Sequence, residues 1–302
     1  MNSKSFTVDE NISNNISTSS DPSKIPNIHR HLTELALIDP DERRASLRDV
    51  LAASGLEFSV QALEPTIEMP RGVENYIVNI GNVSEPHLLF CAHYDAYPGS
   101  CGANDNSAAI CILIDLAIEL KKLGNINAEF AFFDGEESKN TGSKLYLSEC
   151  GTDSLTAAIN LDMCGYGDTI AVYSHGNSSK EAIRNFCDKT ILGRHNGQLV
   201  KFLPHSDDVI FNGRHLPTLS IAIMPKWDVK NLPILASYEN NILGKPPEFE
   251  LIIGQMEVVT TIHGSFRDKI SSVQPVAMQQ VYDYLIDSIT SPLTKKKHFN
   301  IF

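Results

Sequence analysis

The sequence predicts a single α/β domain with a mixed, mostly parallel central sheet and helices on both faces. Short, continuous apolar runs at His87–Ala92, Ala128–Phe133 and Ala157–Leu161 are typical of strands that are buried on both faces. Apolar helical segments separate these runs, so that strand and helix alternate along the chain. Because parallel strands are joined by helices that cross over the sheet, this alternation places helices on both of its faces. A chain of 302 residues is long enough to bury a full core.

The flanking elements follow from local signals. A helical pattern follows Pro26, and Asp39 with Pro40 indicates the cap and first turn of a second helix that ends before Gly55. Periodicity predicts the remaining elements, which are strands Glu57–Leu63 and Asn75–Ile80, helices Ala108–Leu123 and Gly142–Cys150, strand Thr169–Tyr173, helix Ser178–Leu192, strand Pro217–Met224 and helix Gln274–Ile289. Residues 225–248 contain several Pro, Gly and Asn and are interpreted as a long excursion near the functional site.

Composition divides the chain into three parts. Residues 1–25 are rich in Ser, Asn and Asp and predict a disordered polar leader; residues 26–290 form the predicted catalytic domain, and residues 291–302 a polar basic tail. The leader contains no apolar stretch long enough for a secretory signal or a membrane span. We therefore expect a cytoplasmic location and no membrane partner.

Charge and cysteine content exclude several classes of function. The formal net charge of −12 makes a nucleic-acid partner improbable, because phosphate binding needs a basic surface. The six cysteines form no CxxC pair, and in a cytoplasmic chain we expect them to be reduced. The sequence leaves the oligomeric state unknown.

Acidic and imidazole side chains collect in the loops that follow the predicted strands. His93 and Asp95 come directly after the first buried strand, and Asp105 lies in the loop behind them. Four more such residues follow later strands or precede the last helix, namely Glu136, Glu137, Asp162 and His263. Because working residues lie at the carboxyl ends of strands in open α/β sheets, we expect these side chains to share one site.

The chemistry of this set predicts a metal centre. Nitrogen and oxygen donors without a thiolate favour zinc, with cobalt or manganese as other occupants. So many carboxylates in one pocket would repel one another unless cations neutralised them. Two divalent metal ions that share one carboxylate and hold a water between them would do so.

Five segments, in a fixed order, carry a resemblance to a known family. They are His93–Ala108, Phe132–Glu137 with Gly142 and Ser143 downstream, Asn160–Gly165, Ser206–Phe211 and Ile262–His263. Together they resemble the M28 family of metallopeptidases, which includes bacterial leucyl-type aminopeptidases and is related to glutaminyl cyclases. The resemblance runs from about Arg44 to Ile289 and implies a fold of the zinc-exopeptidase type (phosphorylase/hydrolase-like).

The resemblance also implies a set of metal ligands. Asp105 would bridge two divalent ions, most simply Zn²⁺. His93 and Glu137 would complete one metal site, and Asp162 and His263 would complete the other. Each ion would then hold one imidazole and two carboxylates, with room for water and substrate.

Two further residues gain catalytic roles from the resemblance. Asp95 would orient the His93 imidazole. Glu136 would be the general base that takes a proton from the metal-bridging water and delivers it to the leaving amine. The implied activity is hydrolysis of amide bonds, with removal of amino-terminal residues from peptides as the leading version.

The chain departs from the family pattern at two places. Relatives often have Asp four residues after the second histidine, but this chain has Arg267 there and Asp268 one position later. Relatives often have His or an aromatic residue where this chain has Asp208, and His205 is a spatial substitute to consider. These departures affect the surroundings of His263 and the adjacent substrate contacts.

Other functions remain open at this stage. A glutaminyl cyclase would use a single zinc ion, although Gly102–Asn106 resembles the peptidase form of the motif. An amidase that acts on a small biosynthetic product would use the same ligands. A non-catalytic binding module would keep the fold but would catalyse no reaction. Metal stoichiometry separates the first alternative from the peptidase, and substrate trials separate the second. The expected partner is a peptide or a small amide.

Candidate pocket walls are less well defined by the sequence. Aromatic residues on predicted loops are candidates, namely Tyr97, Tyr166, Phe211, Trp227 and Tyr238. Recognition of a substrate carboxylate would need a positioned arginine, for which Arg214 and Arg267 are candidates.

Overall fold

The computed structural model describes residues 27–67, 70–239 and 248–292. The predicted leader, most of the predicted tail and part of the segment 225–248 lie outside these ranges, and the division into three parts stays a prediction. The strands are β1 (Phe58–Leu63), β2 (Val73–Ile80), β3 (His87–His93), β4 (Ala128–Phe133), β5 (Leu155–Leu161), β6 (Thr169–Tyr173), β7 (Gly197–Val200) and β8 (Thr218–Met224). The helices are α1 (Leu32–Leu35), α2 (Pro40–Ala53), α3 (Ala108–Leu123), α4 (Thr141–Cys150), α5 (Lys189–Arg194), α6 (Asp208–Asn212), α7 (Lys226–Glu239), α8 (Phe249–Ile253) and α9 (Pro275–Thr290).

The eight strands form one mixed sheet in the order β1-β2-β4-β3-β5-β8-β6-β7. The central strands β4, β3, β5 and β8 are mutually parallel. Strands β1 and β2 pair in antiparallel fashion on one side, and β6 runs antiparallel to β8 on the other. The predicted fold class is therefore confirmed.

Side chains of the central strands alternate between two apolar layers. On β3, Phe90 packs into a core with α3 and α9, whereas Leu89 and Cys91 pack on the opposite face beside Tyr146 of α4 and Phe211 of α6. Successive residues of a strand point to opposite faces, so an uninterrupted apolar run is what a strand between two helical layers requires. Helix α3 is buried along most of its length because it lies between the sheet and α9.

Most predicted elements are confirmed within a few residues, including the capped start of α2. The Asp39 carboxylate accepts hydrogen bonds from the backbone N–H groups of Asp41 and Glu42, as an N-cap does. Within the described ranges, none of the helices combines the length and the apolar character needed to cross a bilayer.

One segment prediction is wrong, and the structure adds detail to a second. The predicted helix Ser178–Leu192 is instead two short 3-10 turns followed by α5, because Asp188 adopts an extended backbone and caps a new helix with its side chain. The predicted excursion at 225–248 begins with helix α7, which continues through Pro233. Strand β7 and helices α6 and α8 have no counterpart in the prediction, because segments of four or five residues give almost no periodicity.

The chain changes direction in the sheet at the boundary between β3 and β5. After β3 it crosses through α3 to β4 on one side, and after β5 it continues to β6 on the other side. Such a switch opens a crevice between the carboxyl ends of the two neighbouring strands. This crevice is where the predicted site residues are expected to meet.

Candidate metal centre

Two of the predicted ligands come from the paired strands β3 and β5. His93 is the last residue of β3, and Asp162 follows β5 directly. The Nε2 atom of His93 lies 3.7 Å from Oδ1 of Asp162 and 3.3 Å from Oδ1 of Asp105. Asp105 reaches this position from the turn that leads into α3. These three side chains form the first ligand group.

Asp105 also belongs to a second ligand group, with Glu137 and His263. Within each of the two groups the donor atoms all lie within 4.8 Å of one another. Glu137 comes from the turn after β4, and His263 from a loop in the carboxyl-terminal part of the chain. The structure therefore brings together all five predicted ligands around the shared carboxylate of Asp105.

The expected grouping of these ligands is wrong. We expected His93 to share a site with Glu137, and Asp162 to share one with His263. The structure groups His93 with Asp162, and Glu137 with His263. The reason is the strand order, because β3 and β5 are hydrogen-bonded neighbours that end side by side at the crevice.

The chemistry of the two groups fits divalent metal ions. Each offers one imidazole nitrogen and two carboxylates, which are ordinary zinc ligands. Among the described residues, Oε1 of Glu137 and Oδ1 of Asp162 are buried without a hydrogen-bond partner. Burying a carboxylate oxygen without a partner is costly, and a bound cation would remove that cost.

Asp95 links the first ligand group to the turn after β4. Its Oδ1 lies 3.4 Å from Nδ1 of His93. Its two carboxylate oxygens also accept hydrogen bonds from the backbone N–H groups of Glu136 and Glu137, at 3.0 and 3.2 Å. Asp95 is thus placed to orient the His93 imidazole, and it also fixes the turn that carries both glutamates.

Glu136 points into a small polar network that the sequence did not reveal. The Asn140 side chain donates to Oε1 of Glu136 at 3.4 Å and to Oδ1 of Asp207 at 3.3 Å. The Ser143 hydroxyl donates to the same Asp207 oxygen at 2.6 Å. Asp207 is fully buried, and burial raises its pKa to about 6. The motif Ser206–Phe211 was the only sequence signal for this acid.

Burial and mutual repulsion favour the protonated forms of the two site glutamates. Burial raises the pKa of Glu136 to about 8, although the nearby His93 opposes the shift. Burial and the Asp105 carboxylate raise the pKa of Glu137 to about 7. Burial disfavours the charged imidazole of His93, but the adjacent carboxylates of Asp105 and Asp162 outweigh this and raise its pKa. Without cations, the folded site therefore holds extra protons.

This excess of protons predicts how the chelated protein responds to pH. The folded state binds more protons than the unfolded state between the ordinary glutamate pKa of 4.5 and the raised pKa of about 8 for Glu136, so stability must fall as the pH rises through this window. The raised pKa of His93 acts in the same direction, because its stabilising effect is lost as the imidazole deprotonates. We expect Tm in chelator to fall by on the order of 5 °C between about pH 5.5 and 8.

Differential scanning calorimetry with chelator and with excess zinc checks this expectation. Zinc should flatten the pH dependence, since bound cations keep the carboxylates deprotonated at every pH in the window. A chelated protein whose Tm rises with pH would contradict the pKa shifts.

Asp268, which departs from the family spacing, supports the shared ligand. Its Oδ1 accepts hydrogen bonds from the backbone N–H groups of Asn104 (3.0 Å) and Asp105 (3.4 Å), and its Oδ2 accepts one from the Ser100 hydroxyl. In return, the backbone N–H of His263 donates to Oδ2 of Asp105 at 3.0 Å. The one-residue shift thus leaves an acid that fixes the Asp105 loop.

The second departure, Asp208, is part of the protein interior. Its Oδ2 lies 2.7 Å from Nε2 of His175, and both side chains are buried. His205 is exposed and packs its ring against Phe202. Asp208 therefore pairs with a histidine that no sequence motif had singled out.

The other sequence candidates divide between the core and the surface. Phe211 is buried between Phe133 and Tyr146 and is a core residue rather than a pocket wall. Tyr97 is 48% exposed, and its ring centroid lies 6.1 Å from that of His263. The side chain of Tyr238 lies outside the described residues. Arg267 forms an ion pair with Glu257, so that its charge is already matched.

The crevice of this α/β sheet holds imidazole and carboxylate donors, and Glu136 is a further carboxylate that belongs to neither ligand group. This arrangement is typical of metal-dependent hydrolases. Comparison with known proteins identifies the family. The family model described as peptidase family M28 matches residues 75–287, which is most of the chain. The chain belongs to peptidase family M28.

Individual relatives are more distant. Aminopeptidase YwaD of Bacillus subtilis (strain 168) is 33% identical over 89 residues, which are 28% of this chain and 20% of that protein. The chain thus aligns with about a fifth of the length of this curated relative.

Solved structures show the same fold at low identity. LapA aminopeptidase of Legionella pneumophila matches with a TM-score of 0.61 at 15% identity, over 90% of this chain and 74% of that chain. BSAP, described as a zinc aminopeptidase from Bacillus subtilis, matches with a TM-score of 0.54 at 19% identity, over 74% and 51%. A glutaminyl cyclase of Tannerella forsythia matches with a TM-score of 0.61 at 15% identity, over 88% and 96%.

Proposed function

We propose that this protein is a zinc aminopeptidase that uses two metal ions to remove amino-terminal residues from peptides. The observation that carries the proposal is the pair of ligand groups that share Asp105. His93 and Asp162 would hold one ion with Asp105, and Glu137 and His263 would hold the other. A shared carboxylate is the arrangement that a two-metal hydrolase needs.

Zinc is the metal that the ligands favour. One histidine and two carboxylates per ion are suitable zinc donors, and BSAP, which shares the fold, is described as a zinc enzyme. When bound, the ions would polarise the scissile carbonyl and make water more acidic.

Glu136 supplies the proton chemistry in this proposal. Its carboxylate lies near the first group without belonging to either, and Asn140 and the Asp95-bound turn fix its position. Glu136 would take a proton from the attacking water and deliver it to the nitrogen of the leaving amine. Asp95 would keep the His93 imidazole in its ligating orientation.

The charge of the site supports exopeptidase action. Burial raises the pKa of Glu136, and the nearby carboxylates of Asp162 and Asp207 add to the shift. These three acidic groups would attract the protonated α-amine of a peptide. An amidase for a small product would use the same groups, and substrate trials separate the two.

A cytoplasmic location remains part of the proposal. The six cysteines are all unpaired in the described structure. Free thiols are typical of reducing compartments, although they do not identify one.

Glutaminyl cyclisation is the second candidate. The fold match to the Tannerella forsythia glutaminyl cyclase covers 96% of that chain, so nothing in the overall architecture excludes it. Such an enzyme would need one ligand group rather than two. The completeness of both groups favours the peptidase.

Metal content and substrate trials on the same preparation test the choice. We expect two zinc ions per chain by plasma mass spectrometry, and hydrolysis of aminoacyl-nitroanilides that chelator abolishes and zinc restores. A peptide with amino-terminal glutamine should be shortened rather than cyclised. One zinc ion per chain together with cyclisation and no hydrolysis would overturn the aminopeptidase in favour of the cyclase.

A further inference from the structure

A cavity of about 660 Å³ opens beside the second ligand group. It lies between the start of α2, the loop 94–99 after β3 and the turn 134–138 after β4. Small-molecule sites commonly enclose about 300–1,000 Å³, so the cavity is large enough for part of a peptide. Asp95 and Glu137 are among its lining residues, and Glu137 also belongs to the second ligand group. The cavity and this ligand group therefore adjoin each other.

Part of the cavity wall is apolar. Ile38 is 64% exposed and Tyr97 is 48% exposed, and Pro40 and Pro98 lie beside them in the wall. Covering such apolar surface contributes about 25 cal/mol for each Å² removed from water. This part of the cavity suits an apolar side chain.

The cavity lining also carries a guanidinium group that can exchange its partner. Arg71 is 53% exposed, and its Nε lies 3.3 Å from the 64% exposed Asp41. Ion pairs between exposed side chains contribute only about 0–1 kcal/mol, so a ligand carboxylate could replace Asp41. Arg44 fixes the turn that presents Arg71, because it donates to the Arg71 carbonyl at 3.2 Å while it pairs with Asp134 at 2.6 Å.

The distribution of charge gives a bound peptide one direction. Asp162 belongs to the first ligand group, and its charge and that of Asp207 act on Glu136. None of these three acids lines the cavity, whereas Arg71 does. An α-amine belongs near the three acids, and an α-carboxylate belongs near Arg71.

We propose that this cavity binds the leaving-group side of short peptides, with an apolar side chain against Ile38 and Tyr97 and the free α-carboxylate paired with Arg71. The proposal rests on the aminopeptidase function proposed above. It assigns the enzyme a preference for dipeptides and similarly short peptides that end in an apolar residue, because only their carboxylate lies close enough to the scissile bond to reach the cavity.

Matched substrates test the proposal. Leucyl-leucine and leucyl-leucinamide differ only in the terminal carboxylate, and leucyl-nitroanilide has no carboxylate at all. We expect wild-type kcat/KM to be about tenfold higher for the acid than for the amide, as one charge-assisted hydrogen bond allows. Arg71→Gln should abolish this ratio by lowering kcat/KM for the acid to the value for the amide. Arg194→Gln is a matched control, since Arg194 is also half-exposed (54%) and forms an ion pair, with Asp287, on another helix.

Each other outcome has a distinct meaning. If the nitroanilide is cleaved but the acid and the amide react equally, or if Arg71→Gln keeps the wild-type ratio, the cavity proposal is wrong and the aminopeptidase stands. If Arg194→Gln also loses the preference for the acid over the amide, the loss of any exposed positive charge explains the effect. The assignment of the carboxylate to Arg71 is then wrong. If neither peptides nor the nitroanilide are cleaved in the presence of zinc, the aminopeptidase function fails and the cavity proposal fails with it.

Discussion

Replacing Glu136 with Gln should lower kcat for aminoacyl-nitroanilide hydrolysis by about 10²- to 10⁴-fold, the usual contribution of a general base. Gln has nearly the same shape and can still accept the hydrogen bond from Asn140, but it cannot take up a proton. Because Glu136 belongs to neither ligand group, metal content should stay at the wild-type value. Steady-state kinetics and zinc analysis on the same preparation measure both quantities.

The neighbouring glutamate provides the comparison. Glu137→Gln changes the same atoms one residue later, yet it removes a carboxylate from the second ligand group. We therefore expect zinc content to fall in this variant and added zinc to restore part of its activity. A Glu136→Gln enzyme that keeps more than about a tenth of wild-type kcat would show that another group takes the proton.

Asp105→Asn should have the second large effect, which is the loss of both metal ions rather than one. The Asp105 carboxylate is the only ligand common to both groups among the described residues, and Asn supplies a neutral amide in its place. We expect zinc content to fall well below one ion per chain and activity to fall to background. Asp162→Asn touches the first group alone and should leave about one ion bound.

Calorimetric zinc titration distinguishes these variants. Asp49→Asn is a suitable control because Asp49 is exposed on α2 and has no part in either ligand group. Equal zinc content in Asp105→Asn and Asp162→Asn would show that Asp105 does not act as the shared ligand.

Much of the fold could be predicted because its central strands are apolar on both faces. The run Ala128–Phe133 is buried at every position, and the structure gives β4 the same bounds as the prediction. By contrast, the segment 178–192 has helical periodicity but breaks at Asp188, whose side chain competes for backbone N–H groups. A local side-chain cap thus outweighs periodicity in such a short segment.

Which residues share the site was easier to predict than how their side chains group. Motifs place His93 and Asp162 at strand ends and Asp105 in a loop, and chain order alone says nothing about which of these segments are neighbours. The sheet order decides it, since β5 pairs with β3 although β4 and α4 lie between them in the sequence. The polar network of Asn140 and Asp207 was missed for the same reason, because its members are distant in the sequence.

The loops that carry Asp105 and His263 are bonded to each other in both directions. Asp268 accepts from the backbone of the first loop, Asp105 accepts from the backbone of the second, and the Asn104 side chain donates to Thr261 at 2.9 Å. A designer who wished to graft this centre onto another scaffold could not transplant the five ligands alone. The two loops would have to be moved together as one unit, with their mutual hydrogen bonds intact, because each loop stabilises the conformation of the other.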